Sequence, residues 1–280
     1  MLRRPGLFYP SSRGEPLKPP SILDFAFARR VGVRVYGLGA VALGLVGLAW
    51  GDFAAVWQPV PAGVPGRVAL AYAVATALLL SGIAIQWEQS AKFGALALTA
   101  LYSLGVVLLH VPRVIAHPAV FVTWSGVAEQ MALVAGGLVT YAGCAPVPPA
   151  GAERTLKIGR LIFGVCLVVF GLAHLFYLAP TAELVPTWLP LGQKFWAYAT
   201  AAAHVAAGIA FLSGVAVRPA AMWLTAMFVV FGVLVHAPTI FVAPHTHINW
   251  AANAMNFALI GSAWVMAAQA AGALHGHKTP

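Results

Sequence analysis

Eight runs of apolar residues dominate this chain, and each has the roughly 20 residues that a helix needs to cross a membrane. Because the runs are continuous rather than alternating, they indicate helices and not the strands of a β-barrel. Only 8% of the 280 residues are charged, against roughly 25% in a soluble domain, so lipid must be the solvent for most of the chain. The predicted spans are residues 31–51, 67–87, 91–111, 121–143, 159–179, 194–214, 218–238 and 248–270. The predicted fold class is therefore an all-α, polytopic membrane protein with eight transmembrane helices.

The sequence also repeats itself at a constant offset of 126 residues. His110-Val-Pro112 matches His236-Ala-Pro238, and Trp124 matches Trp250. Each copy contains an even number of spans, so both copies should insert with the same orientation. We therefore predict two tandem four-helix bundles. The predicted boundaries are an N-terminal tail 1–30, a first unit 31–143, a linker 144–158, a second unit 159–270 and a C-terminal tail 271–280.

The distribution of basic residues predicts the topology. If the N-terminus is cytoplasmic, all of the sixteen Lys and Arg residues except Arg67, Arg113 and Lys194 fall on the cytoplasmic side, as the positive-inside rule requires. Both termini should then be cytoplasmic. This topology accounts for the net charge of +9, so the charge is no indication of nucleic-acid binding. The two cysteines, Cys144 and Cys166, do not have the spacing of a disulfide framework or a metal–thiolate site.

Polar residues inside the spans concentrate in the second half. Such residues are costly in hydrocarbon and mark either a functional site or a helix contact. They are His174 and Tyr177 on span 5, His204 on span 6, His236 on span 7, and Asn249, Asn253 and Asn256 on span 8. From their depth along the spans, we expect them to converge on one pocket in the outer half of the second unit, capped by the segment around Trp188.

Four interpretations of this cluster stay open. The first is hydrogen bonding between helices. The second is a pocket for a quinone or similar lipophilic ligand, in which a neutral His and a Tyr would donate to a carbonyl. The third is haem or a metal held by His174 and His236 with His245 or His247, although no metal-site motif is present. The fourth is a transport pathway, although the sequence shows no spans broken by glycine and proline at matching positions. Glu129 is a separate candidate, as either a proton-handling carboxyl or a neutral helix contact.

The second half resembles the DoxX-like family of bacterial four-helix membrane proteins, tandemly duplicated here. The residues that carry this resemblance are Gly171-Leu-Ala-His174 with Phe176, Val185-Pro-Thr-Trp188-Leu-Pro190, Ala207-Gly208-Ile209 and Arg218. This chain departs from the family pattern where His174 is followed by Leu175, and where His204 stands in place of an acidic residue. The resemblance implies a cytoplasmic-membrane protein, and some relatives look like subunits of quinone-linked sulfur oxidation or oxidative-stress complexes.

Together these observations predict a membrane subunit of a quinone-linked redox complex, in contact with lipid and with other membrane or redox subunits. The predicted ligand-binding residues are His174, Tyr177, His204, His236, Asn249, Asn253 and Trp188. A non-catalytic scaffold or assembly subunit is the alternative, and a small-molecule transporter is the third interpretation. No catalytic residue is assigned.

Overall fold

The computed structural model describes residues 22–276, with side chains from 27 to 270, and every regular element in that range is helical. The α-helices are α1 (Ile22–Trp50), α2 (Arg67–Ala84), α3 (Ala91–Gly105), α4 (Val111–Ala116), α5 (Phe121–Cys144), α6 (Pro149–Phe176), α7 (Leu178–Glu183), α8 (Gln193–Ser213), α9 (Val217–Phe231), α10 (Ala237–Val242) and α11 (His247–Gly276). Eight helical segments are long and apolar enough to cross a membrane, which confirms the predicted all-α class. In chain order, spans 1 to 8 are α1, α2, α3 with α4, α5, α6, α8, α9 with α10, and α11.

The helix boundaries differ from the predicted unit boundaries at three places. The predicted N-terminal tail lies outside the described residues up to 21, and its remainder belongs to α1, which begins at Ile22. The predicted linker contains the start of α6, because Pro149 is suited to the first turn of a helix, where its missing N–H has no partner to lose. The predicted C-terminal tail begins within α11, which continues to Gly276.

The spans pack in a closed ring that follows the chain order. Each span contacts the next one along the chain, and the extensive contact of span 1 with span 8 closes the ring. Spans 4 and 8 also contact each other across it and are the most buried, with 61% and 72% of their apolar windows inside the protein. The predicted arrangement as two tandem bundles is not confirmed, because the large 1–8 and 4–5 contacts both join one half to the other.

Small residues allow spans 1 and 8 to approach closely. A Cβ added to Gly39 would meet the backbone of Ala258, and one added to Gly261 would meet the backbone of Tyr36. In lipid, helices associate largely through such close backbone packing, since hydrophobic burial gives little advantage there. The Tyr36 hydroxyl lies beside this contact and donates to the carbonyl of Leu133 on span 4 at 2.8 Å, so three spans are joined at one point.

Spans 3 and 7 are deformed at matching positions. A π-helical segment, Val106–His110, joins α3 to α4, and another, Gly232–His236, joins α9 to α10. Each precedes a proline, Pro112 or Pro238, which lacks an N–H and clashes with the carbonyl four residues earlier. The widened turn relieves that conflict. The sequence did not indicate matched interruptions, but the structure contains matched deformations within two spans that remain helical.

A second local structure also recurs at the 126-residue offset. The indole Nε1 of Trp124 donates to the carbonyl of Pro118 at 3.0 Å, and that of Trp250 donates to the carbonyl of Pro244 at 2.7 Å. Each bond closes the turn that follows a proline-containing span and fixes the start of the next one. The turn that leads into span 4 and the turn that leads into span 8 therefore have the same local structure.

Candidate functional site

A partly open cavity of about 180 Å³ lies between spans 4, 5, 6, 7 and 8, beneath the connection between spans 1 and 2. Its polar lining is Ser125, Glu129, His174, His204, His236 and Asn256, its aromatic lining is Trp57, Phe170, Phe228 and Phe231, and the remaining wall is Ala173, Ala252, Met255 and Leu259. Three of the seven predicted ligand-binding residues, the three histidines, therefore meet in one cavity.

His174 and His204 are in direct contact on this wall. Their ring centroids lie 5.0 Å apart, with the rings nearly perpendicular. His204 is almost fully buried, with 2% of its surface exposed. The positions follow from packing, because spans 5 and 6 share one of the most extensive helix contacts in the fold and each histidine lies on the face turned toward the other span.

Thr200 determines which nitrogen of each ring carries the proton. Its backbone carbonyl can only accept, so the contact of 2.9 Å to Nδ1 of His204 requires Nδ1–H there. When its hydroxyl donates its single hydrogen within its own helix, to the carbonyl of Trp196 at 2.8 Å, it accepts from Nδ1–H of His174 at 2.9 Å. In both neutral imidazoles, Nε2 is then the unprotonated nitrogen and a hydrogen-bond acceptor.

Aromatic rings surround the two histidines. Phe170 meets His204 edge-on with centroids 5.9 Å apart, and Phe228 lies 5.7 Å from the same ring. Phe231 lies 6.2 Å from both imidazoles. The cavity thus combines a small number of polar atoms with flat apolar walls, the composition that is typical of sites for small organic ligands.

Glu129 brings a carboxyl group to the wall of the cavity. Trp57, in the connection between spans 1 and 2, donates from Nε1 to Oε2 of this carboxyl. No salt bridge to Glu129 is found among the described residues. The indole bond therefore anchors the carboxyl, and it places a residue of the first-half connection in the cavity wall.

The asparagines of span 8 join two helices, which is the first of the interpretations left open for the polar cluster. Their side-chain amides donate to carbonyls of span 7 and its end: Asn249 to Thr239 at 3.0 Å, Asn253 to His236 at 2.7 Å, and Asn256 to Phe228 at 3.1 Å. The i, i+4, i+7 spacing did predict a single face, but that face holds the deformed span 7. Of the three, Asn256 also lines the cavity.

Tyr177 and Trp188 do not line the cavity. Helix α6 ends at Phe176, and Tyr177 adopts a non-helical backbone conformation with φ −115° and ψ 44°, so it no longer continues the face that carries His174. It lies near Phe121, with ring centroids 6.4 Å apart. Trp188 is 71% exposed. The prediction that the Trp188 segment caps the pocket is therefore wrong, and Trp57 of the first half occupies the wall instead.

A second cavity, of about 230 Å³, adjoins the first in the first half of the chain. His110, Arg113 and Thr123 are among its lining residues, and Ser125 and Glu129 line both cavities. His110, the counterpart of His236, is buried, and its Nε2 lies 2.9 Å from the carbonyl of Trp57. Residues of the first half therefore line both cavities, Glu129 among them, beside the second-half residues that were predicted.

The described residues contain no group of three or more His, Cys, Asp or Glu side chains placed to hold a metal ion. His247, one of the residues in the haem or metal interpretation, stacks on Trp50 at the end of span 1 with ring centroids 5.0 Å apart.

These features define the class of the protein: it is a multi-pass helical membrane protein with a partly open cavity between its spans. A family model described as DoxX matches residues 155–237, from span 5 to the end of the second π-helical segment. This match confirms the resemblance to the DoxX family in the second half, over the residues that contribute His174, His204 and His236. No curated protein and no solved structure matches the chain significantly.

Proposed function

We propose that this protein is an integral subunit of a quinone-linked redox complex, and that its central cavity binds the ring of a quinol. The observation that carries this proposal is the pair of adjacent imidazoles, His174 and His204. Both Nδ1 atoms are engaged by Thr200, so both Nε2 atoms are left as acceptors.

The size of the cavity suits a single ring. An apolar cavity of about 150 Å³ accommodates a benzene molecule, and this cavity measures about 180 Å³. The isoprenoid tail of a quinol would therefore stay outside, among the lipid chains. Phe228 and Phe231 provide the flat apolar surface against which such a ring packs.

The hydrogen-bonding character of the site favours the reduced form of the ligand. A quinol has hydroxyl groups that donate, whereas the carbonyl groups of a quinone can only accept. Two neutral imidazoles with free Nε2 acceptors therefore match a quinol. This revises the sequence-based interpretation, in which a histidine donates to a quinone carbonyl.

The same arrangement is suited to proton transfer. Oxidation of a quinol releases a pair of protons and a pair of electrons. Nε2 of His174 or His204 accepts a hydroxyl proton, as a general base does, and Glu129 is a second acceptor in the cavity wall. The electrons require a redox centre, which a partner subunit would supply.

We also infer that the chain arose by internal duplication, with both termini in the cytoplasm of a bacterium. The matching π-helical segments and the matching Trp–Pro hydrogen bonds support the duplication. The second half differs in having two further histidines, His174 and His204, opposite its π-helical segment. We therefore assign ligand binding mainly to the second half, with Trp57 and Glu129 contributed by the first.

One observation favours a scaffold role as the second candidate. All three asparagines of span 8 bond to carbonyls of span 7, which is how polar side chains join membrane helices. In this alternative the histidines would serve packing alone.

The test is to purify the full chain in mild detergent, record its visible spectrum, quantify extractable quinone and identify the proteins that accompany it. We expect stoichiometric quinone or quinol, retained better under reducing conditions, and no Soret band. A ligand-free protein that purifies with large redox subunits would support the scaffold role instead, and a Soret band would identify a haem protein.

A further inference from the structure

Three arginines surround a cavity at the end of the molecule where spans 1, 2, 3 and 4 meet. The cavity measures about 370 Å³ and is lined by Arg29, Arg30 and Arg34 of span 1, together with Gln86, Glu88 and Cys144. We propose that this arginine cavity binds a phosphate group, carried either by an anionic phospholipid or by free phosphate.

The charged side chains that line the cavity are mainly positive. The cavity has three guanidinium groups and a single carboxylate, that of Glu88, and none of the three arginines forms a salt bridge with a carboxylate of the described residues. A guanidinium presents its N–H donors as a planar fork that matches the oxygens of a phosphate. The cavity thus holds a cluster of strong donors whose natural complement is an oxyanion.

The cavity lies at one end of the membrane-spanning helices. Arg29 and Arg30 lie near the N-terminal end of α1, which begins at Ile22, while Gln86 and Glu88 lie in the connection between spans 2 and 3. The cavity is therefore at the boundary between hydrocarbon and water, the depth of lipid headgroups. Basic pockets between transmembrane helices at this depth are suited to phospholipid headgroups.

Exposed aromatic side chains form a rim beside the cavity. Trp87 and Phe93, next to the cavity in the chain, are 58% and 62% exposed, and exposed aromatic side chains are typical of the membrane interface. Gln86 links spans 1 and 2 beside the cavity, because its amide donates both to the carbonyl of Arg34 at 3.3 Å and to that of Gly82 at 3.0 Å. The site is thus built from two spans tied together beneath a lipid-facing rim.

The experiment measures thermal stabilisation and bound lipid, by native mass spectrometry, on the full chain in detergent. Three additions are compared: phosphatidylglycerol, phosphatidylcholine and inorganic phosphate. The test variant is Arg30→Gln/Arg34→Gln. The control is Arg154→Gln/Lys157→Gln, which removes equal charge from exposed positions at the start of span 5. A third variant, Arg30→Lys/Arg34→Lys, keeps the charge that insertion needs while removing the fork.

We expect phosphatidylglycerol to bind and stabilise the protein and the control, with affinity reduced about tenfold or more in Arg30→Gln/Arg34→Gln and less in the lysine variant. If inorganic phosphate stabilises the protein through the same arginines while phosphatidylglycerol acts no better than phosphatidylcholine, the phosphate source is soluble. If neither phosphate-bearing addition depends on these arginines, or if the control loses as much, the proposal is overturned.

Discussion

His204 is a buried position at which the two halves of this molecule differ. It is buried on span 6, and the position 126 residues earlier holds the equally buried Leu78 on span 2. Since the fold already accepts leucine at that position in one half, we predict that His204→Leu inserts and assembles normally. It removes one acceptor from the cavity, so affinity for a short-chain quinol should fall about tenfold. Calorimetric titration of the purified variant checks this, and an unchanged affinity would show that His204 is packing alone.

Thr200 gives a more selective test, because it sets the proton positions of both histidines. Thr200→Val keeps the shape of the side chain but removes the hydroxyl that His174 contacts at 2.9 Å. We predict that quinol affinity falls by about tenfold or less while thermal stability changes little. The control is Thr225→Val, since that hydroxyl bonds only within its own helix, to Ala221 at 2.8 Å. Equal loss of affinity in both variants would remove Thr200 from the site.

Two substitutions of Glu129 separate its structural role, as the acceptor for the Trp57 indole, from its role as a carboxyl group. Glu129→Gln retains an acceptor for the Trp57 indole, whereas Glu129→Met, the residue found at the matching position 255, leaves that indole unpaired. We predict that the methionine variant is less stable by about 1–3 kcal/mol and the glutamine variant is not. Thermal denaturation in detergent measures the difference, and identical curves for the two variants would contradict the role of this bond.

The histidines could be predicted from sequence because any such residue in an apolar span is conspicuous. Glu129 was a candidate for the same reason, but its place in this cavity, like that of Trp57, could not be predicted, since both depend on how the first half packs against the second. Tyr177 was misplaced because spacing along the chain assumes a continuous helix, and α6 ends one residue before it. The asparagines were correctly predicted to share one face of span 8, but the sequence did not show that this face contacts span 7.

The contact between spans 1 and 8 depends on backbone approach, and Gly261 is the position that tests it. A Cβ there would meet the backbone of Tyr36, whereas a Cβ at Gly105, also helical, would meet nothing within 4 Å. We predict that Gly261→Ala destabilises the protein by about 1–3 kcal/mol through overpacking. Gly105→Ala should be neutral or stabilising. The melting temperatures of the two variants in one detergent give the comparison, and equal values would mean that the two spans can separate without cost.

At the level of elements, the number and approximate extent of the spans followed from hydrophobicity alone. The beginning of α6 was missed because its first ten residues include Glu153, Arg154, Thr155 and Lys157, and so extend the helix beyond the apolar run. The π-helical segments at 106–110 and 232–236 were also missed. Their cause, a proline two residues after a histidine, is visible in the sequence, but proline more often kinks a helix than widens its preceding turn.

At the scale of the whole molecule, the two halves depend on each other. Spans 1 and 8, 4 and 5, and 4 and 8 all meet across the boundary between them. We predict that residues 1–146 and 147–280, expressed together as separate chains, co-purify as one complex. Affinity purification through a tag on one fragment measures this. Halves that purify separately would contradict the ring, and a second fragment carrying Gly261→Leu should be retained poorly if the 1–8 contact holds the complex.

The repeat predicted two tandem four-helix units, and the structure contains local features that recur at the same 126-residue offset. What the repeat could not predict is the partner of span 1. Both span 4 and span 8 present small residues against which span 1 could pack, and only the packing of all eight spans determines that span 1 contacts span 8. As a result, span 4 of the first half lies at the centre of the molecule and completes the wall of the cavity.

The most direct test of the central claim is photolabelling of the purified protein with a photoreactive quinol analogue, followed by mass spectrometry of the labelled peptides. We predict label on the segments around 170–174, 200–204 and 228–236, competed by unlabelled quinol and reduced in His204→Leu. Label spread over lipid-facing residues, or label that excess quinol does not displace, would contradict the assignment of this cavity as a quinol site.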